Sequence, residues 1–286
     1  MSRLLESTSL AVEPHDSYVT LERDNPKGWS NRYLAFSGRR AYHVGYWCDT
    51  CKFIFEQLDT GGYASPADMA SRMRSGIGVD RLAAEPMAKL VALADRLRSG
   101  LKRIDTEVVN LVGQLLPEGR YIVLLLSLTP VLVKLGTKRD YFTNEQTRWK
   151  EWASELPHWP KTEYYRTATL PVEQSVELFE FVVPMHYGGD WSTVASYADS
   201  LERAEQPTAL AISVLDAKAA PSHSADASEE WHYCLAHYLL DGHHKTYAAA
   251  LIARPMTLLS FLAVDESLVS EEAIGQTLRA LDHAEP

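Results

Sequence analysis

Five consecutive residues, Asp241-Gly242-His243-His244-Lys245, put a carboxylate, two imidazoles and an ammonium around one glycine, and Thr246 adds a hydroxyl. These are the residue types that hold a phosphate and move a proton beside it. Glycine allows the chain to turn tightly. A helix opening at such a turn offers backbone N–H groups that no intrahelical carbonyl accepts, and these receive an anion. Lys245 would add a counter-charge as a point cation. Asp241 would meet a phosphate-bound metal or take a hydroxyl proton, or else only cap the helix. His243 and His244 diverge by roughly a quarter turn on a helix, so that one can face a phosphate while the other packs inward. The set Asp241, His243 and His244 is thus the catalytic candidate, and Gly242, His243, His244, Lys245 and Thr246 are the candidate phosphate contacts.

A second pair capable of chemistry is Cys48-Asp49-Thr50-Cys51. Its spacing lets two thiolates meet one Zn²⁺, with His43, His232, Cys234 or His237 to complete the set. Trp47-Cys48-Asp49-Thr50-Cys51-Lys52 also prompts a redox reading, because a helix start depresses a thiol's pKa. Two buried thiols acting as small hydrophobes are the third reading.

The elements around the Gly242 turn follow from composition. Trp231 to Leu240 is an aromatic and aliphatic run, which predicts a strand. Lys245 to Ala253 is Ala-rich without Gly or Pro and predicts a helix, which Arg254-Pro255 stops. Met256 to Val264 is a second apolar strand. Upstream, Val176 to Pro184 predicts a strand, Asp190 to Arg203 a helix capped by Asp190 or Ser192, and Pro207 to Leu215 another strand. Glu177 and Glu180 fall on opposite faces of the first of these, so at most one can point toward the turn. Glu271 to Leu281 predicts a closing helix with Ser270 as cap.

The run LLDGHHKTYAAALIARPMTLLSFLAV, with these elements in this order, resembles the signature segment of the ParB/sulfiredoxin superfamily. The resemblance covers about the last third of the chain. It implies that a nucleotide's phosphates bind at the turn, as in partition-protein CTP switches, free-serine kinases and presumed nucleases. His243 stands where sulfiredoxins carry their reactive Cys, which argues against that activity. Lys245 replaces an arginine usual in the family.

The remainder of the chain predicts a larger body. At 286 residues it has room for one large or two ordinary domains, and its 46% hydrophobic content is that of a globular chain. A net charge of −10 argues against a protein built to coat DNA or an anionic membrane. Three cysteines and the absence of a signal-peptide pattern favour a reducing, cytoplasmic setting. Residues 1–18 are expected as a loosely held arm. Short strands are expected at Tyr33–Phe36 and Ala41–Trp47, and a helical stretch over 84–112 broken near Gly100. The apolar run Tyr121–Val133 holds Pro130 and is too short to span a bilayer, so it predicts a buried strand or strand pair. Trp149, Trp152, Trp159, Pro157 and Pro160 mark an aromatic connector, with a base-stacking platform as the alternative.

These observations give an α/β (α+β) chain: an arm (1–18), a mixed α/β domain carrying Cys-x-x-Cys (19–148), and a ParB/sulfiredoxin-like domain with its connector (149–286). The expected function is nucleotide binding, with phosphoryl transfer or phosphodiester hydrolysis at the turn. The expected cofactors are a nucleoside tri- or diphosphate with Mg²⁺, and Zn²⁺ at Cys48 and Cys51. A non-catalytic module that uses nucleotide or zinc to set a protein contact, including a homodimer, is the alternative. A DNA nuclease is a further one, although the charge disfavours duplex binding.

Overall fold

The computed structural model describes residues 2–24, 31–36, 38–46, 55–58, 87–143, 163–184, 190–220 and 230–284. Thirteen strands and five helices are found there. The strands are β1 (Ser2–Val12), β2 (Val19–Arg23), β3 (Asn31–Phe36), β4 (Arg39–Tyr46), β5 (Glu56–Gln57), β6 (Gly119–Leu128), β7 (Val131–Val133), β8 (Tyr164–Arg166), β9 (Leu170–Glu173), β10 (Val176–Val183), β11 (Thr208–Ala219), β12 (Trp231–Asp241) and β13 (Met256–Ala263). The helices are α1 (Met87–Ser99), α2 (Thr106–Gly113), α3 (Trp191–Glu202), α4 (His243–Leu251) and α5 (Glu271–Asp282).

Nine strands form one mixed sheet in the order β1-β6-β13-β11-β12-β10-β8-β7, with β9 also paired to β10. β10 runs parallel to β12 and β11 parallel to β13, and the other pairs are antiparallel. Every residue of β13 is buried, and β11 is buried from Thr208 to Asp216. Both therefore read as nearly unbroken apolar runs, as strands covered on both faces must. The remaining four strands, β2-β3-β4-β5, form an antiparallel meander.

The meander lies on one face of the large sheet. Val19, Leu34, Phe36, Tyr42, Val44 and Phe55 share a core with Val123, Phe181, Ile212, Tyr238 and Phe261, and α1 and α2 add Leu97, Val108 and Val112. Polar contacts join the same two layers. The Arg32 guanidinium donates to Asp216 at 2.8 Å with both side chains buried, and the Tyr42 hydroxyl donates to the Pro184 carbonyl at 2.7 Å. The opposite face carries α3, α4 and α5, whose Val194, Leu201, Ala248, Ala249, Ile274 and Leu281 pack on Leu124, Leu126, Ala211, Leu235 and Leu262. The fold is thus mixed α/β in three layers, with β12, the strand that leads into Gly242, near the middle of the sheet.

Two expectations change. Of the arm expected over residues 1–18, residues 2–12 are not loose: β1 pairs with β6 along its length, from Ser2 opposite Leu128 to Val12 opposite Gly119. Its run of Glu6, Ser7, Thr8 and Ser9 gave no apolar signal because an edge strand is held by backbone hydrogen bonds that need no apolar side chain. A bulge between Leu4 and Glu6 also breaks the alternation. Nor does residue 148 separate two sheets. β1, β6 and β7 precede it and β8 to β13 follow it, all in one sheet. The expected break near Gly100 does fall between α1 and α2, where Gly100 has φ 91° and Asp105 caps α2. The Tyr121–Val133 run is the pair β6 and β7. Trp149, Trp152, Pro157, Trp159 and Pro160 lie outside the described residues.

Candidate functional site

The turn forms at the end of β12, as its composition predicts, and Gly242 shows why glycine is needed. It has φ 103° and ψ 21°, in the left-handed region. A Cβ there would stand 2.4 Å from the Ala209 Cβ and 2.8 Å from its Cα, on the neighbouring strand β11. Any other residue would be strained twice, by its own backbone and by that strand.

Lys245 turns inward. It is 5% exposed, and its ammonium donates to the Thr208 carbonyl and to Asp241 Oδ2, each at 2.8 Å. The expected phosphate counter-charge is instead a tie between the end of β12, the start of β11 and the first turn of α4. A buried ammonium must find such acceptors, which outweighed the surface position that its sequence neighbours suggested. Asp241 does not cap α4, because its carboxylate is held by Lys245. Burial acts to raise the Asp241 pKa, but the charge and hydrogen bond of Lys245, with the charge of His243, hold it below the ordinary carboxylate range. Its side chain keeps 38% exposure. Thr246 is buried, and its hydroxyl donates to the Gly242 carbonyl at 2.9 Å.

Gly242 is itself buried, and both ring nitrogens of His243 and Nε2 of His244 are shielded from solvent. Gly242 is the N-cap of α4 and supplies no side-chain hydrogen bond to the first turn. His243 and His244 are half-buried. One turn beyond His243, Tyr247 meets Trp191 of α3 edge to face, with ring centroids 5.6 Å apart. Trp191 is 63% exposed, the largest value among the exposed large apolar residues. Nothing in the sequence tied Trp191 to the turn, because α3 reaches α4 only through tertiary packing.

A second polar group lies on the same face of the sheet. His237, four residues before Asp241 on β12, stands about 13 Å from it along the strand. His237 Nε2 is 3.1 Å from Glu180 Oε1 on β10, and its Nδ1 is 2.6 Å from Ser213 Oγ on β11 and 3.0 Å from Ser260 Oγ on β13. Ser213 and Ser260 contact each other, and Thr167 donates to Glu180 Oε2 at 2.5 Å. The row crosses four neighbouring strands. Burial acts to raise the Glu180 pKa, but the hydrogen bond and charge of His237, with the bond from Thr167, hold it below the usual glutamate range. Of the two glutamates on β10, Glu180 is the one turned inward, while Glu177 is exposed. Carboxylate, imidazole and hydroxyl follow one another as in a hydrolase triad. All four side chains are at most 2% exposed, so no substrate reaches the serine hydroxyls, and the row acts as a satisfied polar seam.

The residues offered to complete a zinc site are divided by the sheet. His232 and Cys234 face the meander, where the Tyr141 hydroxyl lies 2.9 Å from His232 Nδ1 and 3.7 Å from Cys234 Sγ. His237 points to the helical face, so it cannot share an ion with them. Among the described residues no three His, Cys, Asp or Glu side chains are grouped to hold a metal. Cys48 and Cys51 lie outside the described residues. No described helix is long and apolar enough to cross a membrane. No family model, curated protein or solved structure matches the chain.

Proposed function

We propose that this chain binds a nucleotide through its phosphates at the start of α4, as a module whose bound state sets a protein contact. The observation that carries the reading is the opening of α4. A left-handed glycine packed against Ala209 starts the helix, and no side chain of the N-cap serves its first-turn N–H groups. Such a turn suits a phosphate, with the dipole of a nine-residue helix behind it. His243 and His244 begin the helix with shielded ring nitrogens, so that a rotation of the ring would bring one to the anion, and the exposed Trp191 with Tyr247 offers a surface on which a base can stack. The resemblance to ParB/sulfiredoxin turns points the same way. Lys245 and Asp241 neutralise each other, which favours binding over turnover.

A thermal-shift series with ATP, ADP, CTP and GTP, each with and without Mg²⁺, tests the reading. A nucleotide at a hundred times its Kd should raise stability by about 2.7 kcal/mol. A His243→Ala, His244→Ala double variant should keep the fold and weaken binding by about tenfold, the loss of one charge-assisted contact. If no nucleotide shifts the transition, or the double variant binds like the wild type, the proposal fails.

Phosphoryl transfer or hydrolysis is the second reading, favoured by the exposure that Asp241 retains. Asp241 is the carboxylate that would meet Mg²⁺, and His243 or His244 would move the proton. An Asp241→Asn chain should then lose turnover more than binding. Equal losses return the site to the non-catalytic module.

A further inference from the structure

The last helix and a short edge strand enclose a cavity remote from the Gly242 turn. One wall is β9, from Leu170 to Glu173. The other is a single stripe of α5 and its C-terminal end, with Gln276, Arg279, Ala280, His283 and Ala284 at helical spacing. The cavity volume is about 520 Å³, within the span of small-molecule sites. Its apolar lining is wholly aliphatic, with Leu170, Val172 and Ala280 contributing and no Phe, Tyr or Trp among the lining residues.

The polar groups at this cavity are unequally engaged. At one end Gln276 donates to Glu173 at 2.6 Å and accepts from the Tyr233 hydroxyl at 3.1 Å, so that this end is closed by a satisfied chain. Arg279 follows one turn later. Its guanidinium lies over Gly275, where a Cβ would come within 3.5 Å of Nη1. No hydrogen bond or ion pair joins it to any described residue, whereas Arg120, beside the start of the same helix, holds Asp265 and Glu271. His283 lies seven residues beyond Gln276, about 10 Å along the helix axis.

We propose that this cavity binds the carboxylate of a straight-chain aliphatic acid, with the chain along Leu170, Val172 and Ala280 and the carboxylate on Arg279. The unengaged guanidinium calls for an anion with two acceptor oxygens. The aliphatic lining, formed of small and branched side chains, favours a flexible hydrocarbon over a flat ring. Glu173 keeps its negative charge at the cavity, and Gln276 holds its carboxylate one turn before Arg279 along the helix. The site is independent of the nucleotide reading, since it shares no residue with the α4 turn.

Calorimetric titration of the full chain with decanoate, kept below its micellar concentration, tests the assignment. The wild type should bind one decanoate saturably and decanol at least tenfold more weakly. Arg279→Gln, a change at an exposed position, should weaken decanoate by about tenfold and leave decanol unchanged. Ala280→Trp should fill the cavity and abolish both, and a second filling variant, Ala284→Leu, guards against loss of fold in the first. The assignment is overturned if decanoate does not saturate, if decanol binds as well as decanoate, or if Arg279→Gln binds decanoate like the wild type.

Discussion

Gly242 and Lys245 show how a residue can be chosen for two reasons at once. The glycine is required by its φ and by Ala209, and both costs fall on any replacement. Gly242→Ala should therefore destabilise the fold by about 2–4 kcal/mol, the sum of a left-handed backbone cost and local overpacking. Chemical denaturation measures it, and a change below about 0.5 kcal/mol, the range of ordinary surface substitutions, would show that the turn relaxes. Lys245 was legible as a cation beside a glycine turn, but its target was not. The sequence could not show that the Thr208 carbonyl stands beside it, because Thr208 is 37 residues away in the chain. Metal analysis of purified protein decides the separate expectation of zinc at Cys48 and Cys51.

At the scale of elements, the polar seam crossing β10, β12, β11 and β13 makes a prediction about acid. The folded chain holds Glu180 below its ordinary pKa, so the unfolded chain binds that proton more readily. The stability from this group is complete above the usual glutamate range and is lost as pH falls through the depressed native value. Wild type and Glu180→Gln should therefore differ most near neutrality, and the difference should narrow as the solution is acidified below that range. Thermal unfolding at a series of pH values reads this. A difference that stays constant would show that the carboxylate's charge is not what the seam uses. The four strands themselves were legible from apolar runs, whereas the seam was not. Glu180, Ser213, His237 and Ser260 are dispersed over 81 positions, and only strand order brings them together.

Across the whole molecule, one buried ion pair among the described residues joins the meander to the large sheet. Arg32 and Asp216 are 2% and 0% exposed, and Asp216 also accepts from the Leu268 N–H at 3.1 Å. Removing one partner strands the other without water. Asp216→Ala should cost about 3–5 kcal/mol, while the double change Arg32→Met, Asp216→Leu should recover most of that loss. Denaturation of both variants tests the pair, and a double variant no more stable than Asp216→Ala would mean that the geometry, not the uncompensated charge, was lost.

The amino-acid sequence by itself determined the central elements of this protein. Largely apolar runs specify β6, β10, β11, β12 and β13, Asp190 and Ser270 specify the starts of α3 and α5, and Gly242 specifies the turn between β12 and α4. Those signals are local, since a run's period and a cap's side chain act within a few residues. Only the tertiary structure decided that β1 and β6 join the sheet of the C-terminal strands, that Lys245 turns inward, that Trp191 stands beside Tyr247, and that Arg279 is left without a carboxylate. Each of those depends on backbone pairing or burial between segments distant in the chain. Backbone groups pair without regard to side-chain type, and a charge's partner is set by which strands become neighbours.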